Sequence, residues 1–194
     1  MQVSQFAPVR SHAVDASWVQ AQIRPGLLLR LLRRSDAQGL ADYFGRLGDE
    51  SRRRFLPHPL TQPAAQALCS EPDPTALRFV VAGNDRLMAY FILETALYPH
   101  EAGRFRQHGI ELSAGNDFLF APSVSDDCQN RGLASAAMPA LLAAARAIGA
   151  RSLVLMGGTQ ATNAMAIAFY EKFGFRRFGG YQTEVFNHDM RLVI

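Results

Sequence analysis

The residues best placed to act together chemically form a polar turn at positions 125–135, Ser-Asp-Asp-Cys-Gln-Asn-Arg-Gly-Leu-Ala-Ser. The turn joins an apolar run, Phe118-Leu119-Phe120-Ala121, to an alanine-rich helical pattern beginning near Arg131. The first turn of a helix carries backbone N–H groups without intrahelical partners, and the helix dipole adds partial positive charge there. Gly132 and Ala134 put almost no side chain between that backbone and an approaching anion. A strand, a short turn and a helix start of this kind make an anion cradle, suited to the pyrophosphate of a nucleotide-containing cofactor.

The elements that must hold the cradle can be read from periodicity and breakers. Residues 1–25 are mostly polar and aperiodic and read as a loosely structured N-terminal extension, with a short helix open around 16–22. The remaining chain, 26–194, reads as one domain. Residues 26–34 predict a strand, after which Ser35 and Asp36 cap a helix bearing Leu40, Phe44 and Leu47. Residues 49–55 and 62–69 predict short helices separated by the breakers Pro57 and Pro59, with a third, Pro63, at the start of the second. The β-like runs 77–82 and 86–93 flank Gly83-Asn84-Asp85, a hairpin signal. Residues 98–116 read as a long loop. A strand over 118–124 then leads into a helix over 131–148, with Pro139 expected to kink it. Residues 153–156 predict a fully apolar strand followed by Gly157-Gly158, and residues 163–173 a helix stopped by Gly174. Strands over 178–186 and 190–194 around Asn187-His188 end the chain. The resulting order, β α α β β β α β α β β, argues for an α/β fold with one mixed sheet flanked by helices.

Composition narrows the chemistry. In 194 residues, 48% are hydrophobic and 19% charged, as in ordinary globular proteins. The net charge of +3 is mild, and the scattered arginines give no nucleic-acid footprint. The run Arg52-Arg53-Arg54 reads as a solvated face. Cys69 and Cys128 are too few for a disulfide framework, and neither they nor the five histidines have metal-ligand spacing. No apolar run approaches the roughly 18 residues of a membrane helix, and residues 1–16 lack the apolar core of a signal peptide. The expectation is a soluble cytoplasmic protein with no metal, nucleic-acid or membrane partner.

Both GxxxxGK[ST] and GxGxxG are absent, which disfavours nucleotide hydrolases and dinucleotide-binding folds. What stands in the turn is Gln129-Asn130-Arg131-Gly132-Leu133-Ala134. It resembles the Q/R-x-x-G-x-G/A motif of the GNAT superfamily of acyl-CoA-dependent N-acetyltransferases. The stretch from Asn163 through Ala166, Tyr170, Glu171 and Lys172 to Gly174 and Phe175 resembles the family's second signature, N-x-x-A-x-x-x-Y-E-K-x-G-F. The two signatures are separated by one helix and one strand, as in the family. The resemblance is strong over 118–175 and looser before, and it implies a GNAT-like, largely antiparallel sheet.

The resemblance also implies roles. Backbone groups at Val124 and Ser125 would pair with the pantetheine arm of acetyl-CoA as an added strand. Gln129 opens the motif, and the amides of Asn130, Arg131, Gly132, Leu133 and Ala134 would hold the pyrophosphate, helped by the Ser135 hydroxyl and the Arg131 charge. Asn163 would contact pantetheine and position its helix, and Tyr170 would act as general acid beside the thioester sulfur. The general base is left open among Asp117, Glu94, Glu111, His108 and a water relay. Asp126 and Asp127 read as carboxylates favouring a helix dipole, and Cys128 as incidental. The acceptor is a primary amine on a small molecule or a protein, and a homodimer stays open. A catalytically silent acyl-CoA sensor is the alternative.

Overall fold

The computed structural model describes residues 20–70 and 73–194. Its strands are β1 (Ala21–Arg24), β2 (Leu27–Leu31), β3 (Ala76–Gly83), β4 (Arg86–Glu94), β5 (Asp117–Val124), β6 (Ser152–Leu155), β7 (Thr159–Gln160), β8 (Arg176–Gln182) and β9 (Phe186–Val193). They form one sheet in the order β1-β2-β3-β4-β5-β6-β9-β7, with β8 also paired to β9. Every pairing is antiparallel except β5 with β6. A parallel pair needs a crossover, and α5 (Leu133–Ala147) supplies it.

Side chains alternate along the strands, so β3 and β4 feed two cores. Phe79, Val81, Phe91 and Leu93 face α5 and α6 (Ala164–Lys172), where Leu133, Met138, Leu141 and Tyr170 meet them. Val80, Tyr90 and Ile92 face the other way, against Leu40, Tyr43 and Phe44 of α1 (Ala37–Gly45) and Ala65 of α3 (Gln62–Ser70). Burial on both faces explains why β4 is apolar from Leu87 to Leu93. The β3–β4 hairpin turns at Asn84 (φ 50°) and Asp85 (φ 56°), the paired left-handed residues of a tight primed turn.

The sheet arrives as expected, with several local differences. The segment ahead of Gly26 ends in β1, paired with β2; the helix expected around 16–22 lies partly outside the described residues, and Ala21 and Gln22 are strand. Asp36 does not cap α1 with its side chain, because its carboxylate turns back to the Arg33 N–H and the Arg30 guanidinium. The expected long loop contains α4 (Pro99–Arg106), started by proline at its first turn and anchored by buried Phe105. The short strand β7 follows Gly157-Gly158. Asn187 and His188 lie inside β9, not at a turn, paired with Tyr181 and Gly180. Helix α5 runs on through Pro139.

Candidate active site

The site begins where two strands part. Strands β5 and β6 pair from Asp117–Ser152 to Phe120–Leu155, and the Met156 N–H adds a last bond to the Phe120 carbonyl at 3.1 Å. Gly157 (φ 70°) and Gly158 (φ 71°) then turn the chain away. A Cβ on Gly157 would stand 2.6 Å from Leu56 Cδ1, so glycine suits this corner in both backbone and space. Strand β5 continues to Val124 with that edge open. Its Ser125 end bonds to β4 through Ser125 N–H and Met88 C=O at 3.0 Å. Alternation along the ladder therefore turns the groups of Pro122 and Val124 toward the opening. Proline brings no N–H to that edge, which leaves the Val124 amide as its donor.

A cleft of about 480 Å³ fills the split and reaches both faces of the sheet. Pro122, Ser123 and Val124 form one wall. Gln129, Asn130, Gly132, Leu133, Ala134 and Ser135 form the cradle end, and Asn163, Phe169 and Tyr170 come from α6. From the opposite face, Glu50, Ser51 and Arg54 of α2 (Asp49–Arg54) and the following Phe55 complete it.

The cradle is sharper than the sequence suggested. Asn130 (φ 58°) and Gly132 (φ 69°) are both left-handed, and the helix starts at Leu133, two residues later than expected. Its first closing bond runs from Ala136 N–H to Gly132 C=O, which leaves the amides of Leu133, Ala134 and Ser135 as the unpaired first turn. No acidic residue lies in that turn. Two expected binders behave differently. Ser125 is fully buried, with its N–H on Met88 and its C=O accepting from Cys128 N–H, so both of its backbone groups are already engaged within the protein. Arg131 is exposed and lies off the cleft wall; its carbonyl accepts from Arg24 Nη1 at 2.8 Å.

Asn163 caps α6, its Oδ1 accepting from Ala166 N–H at 3.1 Å. Farther along the helix, Tyr170 packs between Phe169 and Phe175, each with ring centroids 5.3 Å away. Among the described residues its hydroxyl has no hydrogen bond, and it lines the cleft. Burial alone pushes its pKa well above the ordinary tyrosine value. The hydroxyl is thus held protonated and free to donate.

None of the four residues weighed as general base lines the cleft. Asp117 is buried at the far end of β5, accepting from Ser113 N–H, Ser152 Oγ and Arg191. Glu94 accepts from the Tyr98 hydroxyl, and burial raises its pKa. Glu111 is paired with Arg106 on the surface, and the His108 ring packs over Gly179. Among the described residues, the carboxylates that do line the cleft are Glu50 and Asp126. Glu50 is exposed, and Arg53 and Arg54 hold its pKa below the usual range. Asp126 accepts from Gly48 N–H at 2.9 Å and Ser51 Oγ at 2.6 Å. Its carboxylate therefore serves the N-terminus of α2, not that of α5. Asp127 pairs with Arg86 at 2.8 Å.

Sequence reasoning named no α2 side chain as a site residue. The arginine run was the available signal, but it splits three ways. Arg52 donates to the Leu47, Leu60 and Phe44 carbonyls, Arg53 is exposed, and Arg54 lines the cleft with Nε 3.3 Å from Gln160 Oε1. Ser123 was missed too; its Oγ accepts from Tyr43 at 2.7 Å. Gln129 Nε2 ties the parts together, within 3.2 Å of Val124 O and of Ser51 Oγ.

Chemically, the cleft offers an anion-binding end, a strand edge whose Val124 amide has no partner among the described residues, and a protonated tyrosine between them. Among the described residues, no cluster of His, Cys, Asp or Glu is arranged to hold a metal ion, and no helix is long and apolar enough to cross a membrane.

Solved structures share the architecture. The GNAT domain of S. lividans PAT superposes with a TM-score of 0.71 at 19% identity, covering 92% of this chain and 98% of that one. A ribosomal-protein-S5-alanine acetyltransferase from Vibrio fischeri gives 0.68 at 13% identity, covering 90% and 96%. RimL, a ribosomal L7/L12 alpha-N-protein acetyltransferase in complex with coenzyme A, gives 0.65 at 13%, covering 90% and 98%. No curated protein matches the sequence. Residues 49–175, which hold the cradle, the split and Tyr170, match the acetyltransferase (GNAT) family. The chain belongs to that family and is an acetyltransferase of the GNAT type.

Proposed function

We propose that the protein transfers the acetyl group of acetyl-CoA to a primary amine by direct attack in a ternary complex. The observation that carries this reading is a single cleft through the parted strands, with the cradle at one end and α2 at the other. The unpaired amides of Leu133, Ala134 and Ser135 hold the donor's pyrophosphate. The open edge at Val124 receives the pantetheine arm, and Asn163 orients α6 beside it. RimL, a structural relative, binds coenzyme A. Acceptor and donor approach from opposite faces, which brings the amine to the thioester without a covalent enzyme intermediate.

In the reaction a C–N bond forms, the C–S bond breaks and the amine gives up a proton. The Val124 N–H stabilises the developing oxyanion. Tyr170 donates a hydrogen bond to the leaving sulfur. A free thiol's pKa is about 8.5 and a tyrosine's about 10. Burial widens that gap, which favours stabilisation of a thiolate over early full protonation. Both cleft carboxylates are engaged, so the amine's proton passes to water at the exposed α2 end.

The engaged carboxylates also favour a second reading, a silent acyl-CoA sensor. Thiol release from acetyl-CoA, followed across small amines and peptide N-termini, separates the two. Turnover on any amine supports the transferase; tight CoA binding without turnover on any of them supports the sensor.

A further inference from the structure

Arg24 ends β1, in the segment that the sequence alone presents as an extension. Its Nη1 donates to the Arg131 carbonyl at 2.8 Å, across 107 positions of chain. Its Nη2 stands 2.8 Å from where a Cβ on Gly132 would lie. The guanidinium thus sits beside the left-handed glycine of the cradle, and a side chain at that position would have to displace it. This placement opposes ordinary electrostatics. The N-terminal end of a helix is already positive, and a cation beside it is disfavoured unless an anion joins them. Among the described residues no carboxylate on the cradle answers the charge. The first turn of α5 has no acidic residue, Asp126 is bonded to Gly48 and Ser51, and Asp127 is paired with Arg86. Among the described residues Arg24 has no carboxylate partner. Arginine presents five N–H donors, and the bond to Arg131 uses one, leaving the fork open to oxygens.

We propose that Arg24 is a phosphate-binding residue of the donor site, supplied by β1 from outside the signature turn, and that it grips the CoA diphosphate together with the amides of Leu133–Ser135. The proposal rests on the reading of the cradle as the CoA site. It also accounts for β1. Pairing with β2 places the arginine, and the turn at Gly26 (φ 72°) lets Arg24 and Leu27 face each other at the end of that ladder.

The test is calorimetric binding of CoA, 4′-phosphopantetheine and pantetheine to the wild type and to Arg24→Ala, Arg24→Lys and Arg24→Gln. These ligands differ in phosphate content and need no acceptor. Arg24→Ala should weaken CoA about 10- to 100-fold, the range for a charge-assisted contact, and leave pantetheine within about twofold. Lysine should restore part of the loss and glutamine less, and the difference should shrink in 1 M salt, where the Debye length is about 3 Å. CoA affinity unchanged in Arg24→Ala overturns the proposal. So does an equal loss for CoA and pantetheine, which marks a purely structural arginine. If the wild type binds CoA no better than pantetheine, the cradle reading itself fails and takes the Arg24 role with it. If the wild type prefers CoA and Arg24→Ala keeps that preference, only Arg24 is removed.

Discussion

At the residue scale, the side chains separate into those that were legible from local sequence and those whose role depends on distant partners. Gly132 and Tyr170 were legible because signature spacing fixes them on one turn and one helix. Asp117 looked equally chemical, but its partners Ser152 and Arg191 come from β6 and β9. No local pattern announces that such a carboxylate belongs to an ion pair. Both groups are mostly buried, with side chains 6% and 19% exposed, so Asp117→Asn should leave Arg191 uncompensated. A loss of about 3 kcal/mol is expected in urea unfolding, since removing one partner of a buried pair strands the other charge. Turnover per folded molecule should stay near wild type, and a large loss in kcat without loss of stability would restore Asp117 as a base. Tyr170→Phe should behave oppositely. Its ring packing is kept and only the hydroxyl is lost, so kcat should fall about 100-fold or more while CoA affinity changes little. An unchanged kcat would remove Tyr170 from the chemistry.

At the element scale, the sequence showed the central strands β3 to β6 and the helices α5 and α6 well, because burial on both faces writes continuous apolar runs into those strands, whereas the edge strands β1 and β7 and the bounds of β8 and β9 carried no such signal. It showed α4 poorly. That helix spans two turns, has one fully buried phenylalanine, and is signalled mainly by Pro99 at its start. The α2 wall was hidden for a related reason: none of the helix's own residues is buried, so no apolar stripe points it toward the cleft. Polar contacts place it instead. Gly48, the residue before its first turn, donates to Asp126, and Ser51 meets both Asp126 and Gln129. A short helix held this way is sensitive to loss of a single acceptor, because removing a helix-start partner costs about 1 kcal/mol. Asp126→Ala should therefore loosen α2 while leaving the amides of Leu133–Ser135 in place. In steady-state kinetics, KM for the amine should rise several-fold and CoA affinity should stay within about twofold. Equal losses for both substrates would mean that Asp126 supports the cradle directly.

At the scale of the whole molecule, one crossover and two glycines account for the layout. Helix α5 makes β5 and β6 parallel, Gly157-Gly158 part them, and the cleft runs through the resulting gap. The corner is braced from the α4 side. Glu101, 1% exposed, accepts from the Gly157 N–H at 2.6 Å, and the Tyr181 hydroxyl donates to the Gly157 carbonyl at 2.5 Å. This brace could not be read from sequence, since it joins a misjudged loop to a glycine pair and a late strand. It also has a cost that depends on pH. Glu101 Oε2 is buried without a partner, and burial raises its pKa against the opposing pull of the Gly157 N–H and of Arg104 and His100, with Asp189 adding to the rise. A carboxyl whose folded pKa lies above its unfolded value supports the fold fully below the unfolded value, about 4.3. That support is lost as pH rises through the folded value, because the buried carboxyl must then give up its proton and carry a charge that the unfolded chain solvates better. Glu101→Gln keeps an acceptor for Gly157 and removes the titration. Urea unfolding of wild type and Glu101→Gln at pH 5 and pH 8 should show the variant gaining stability relative to wild type at the higher pH. A wild type that gains on the variant as pH rises would show Glu101 to be a favourable buried charge, and the brace would then be electrostatic in origin.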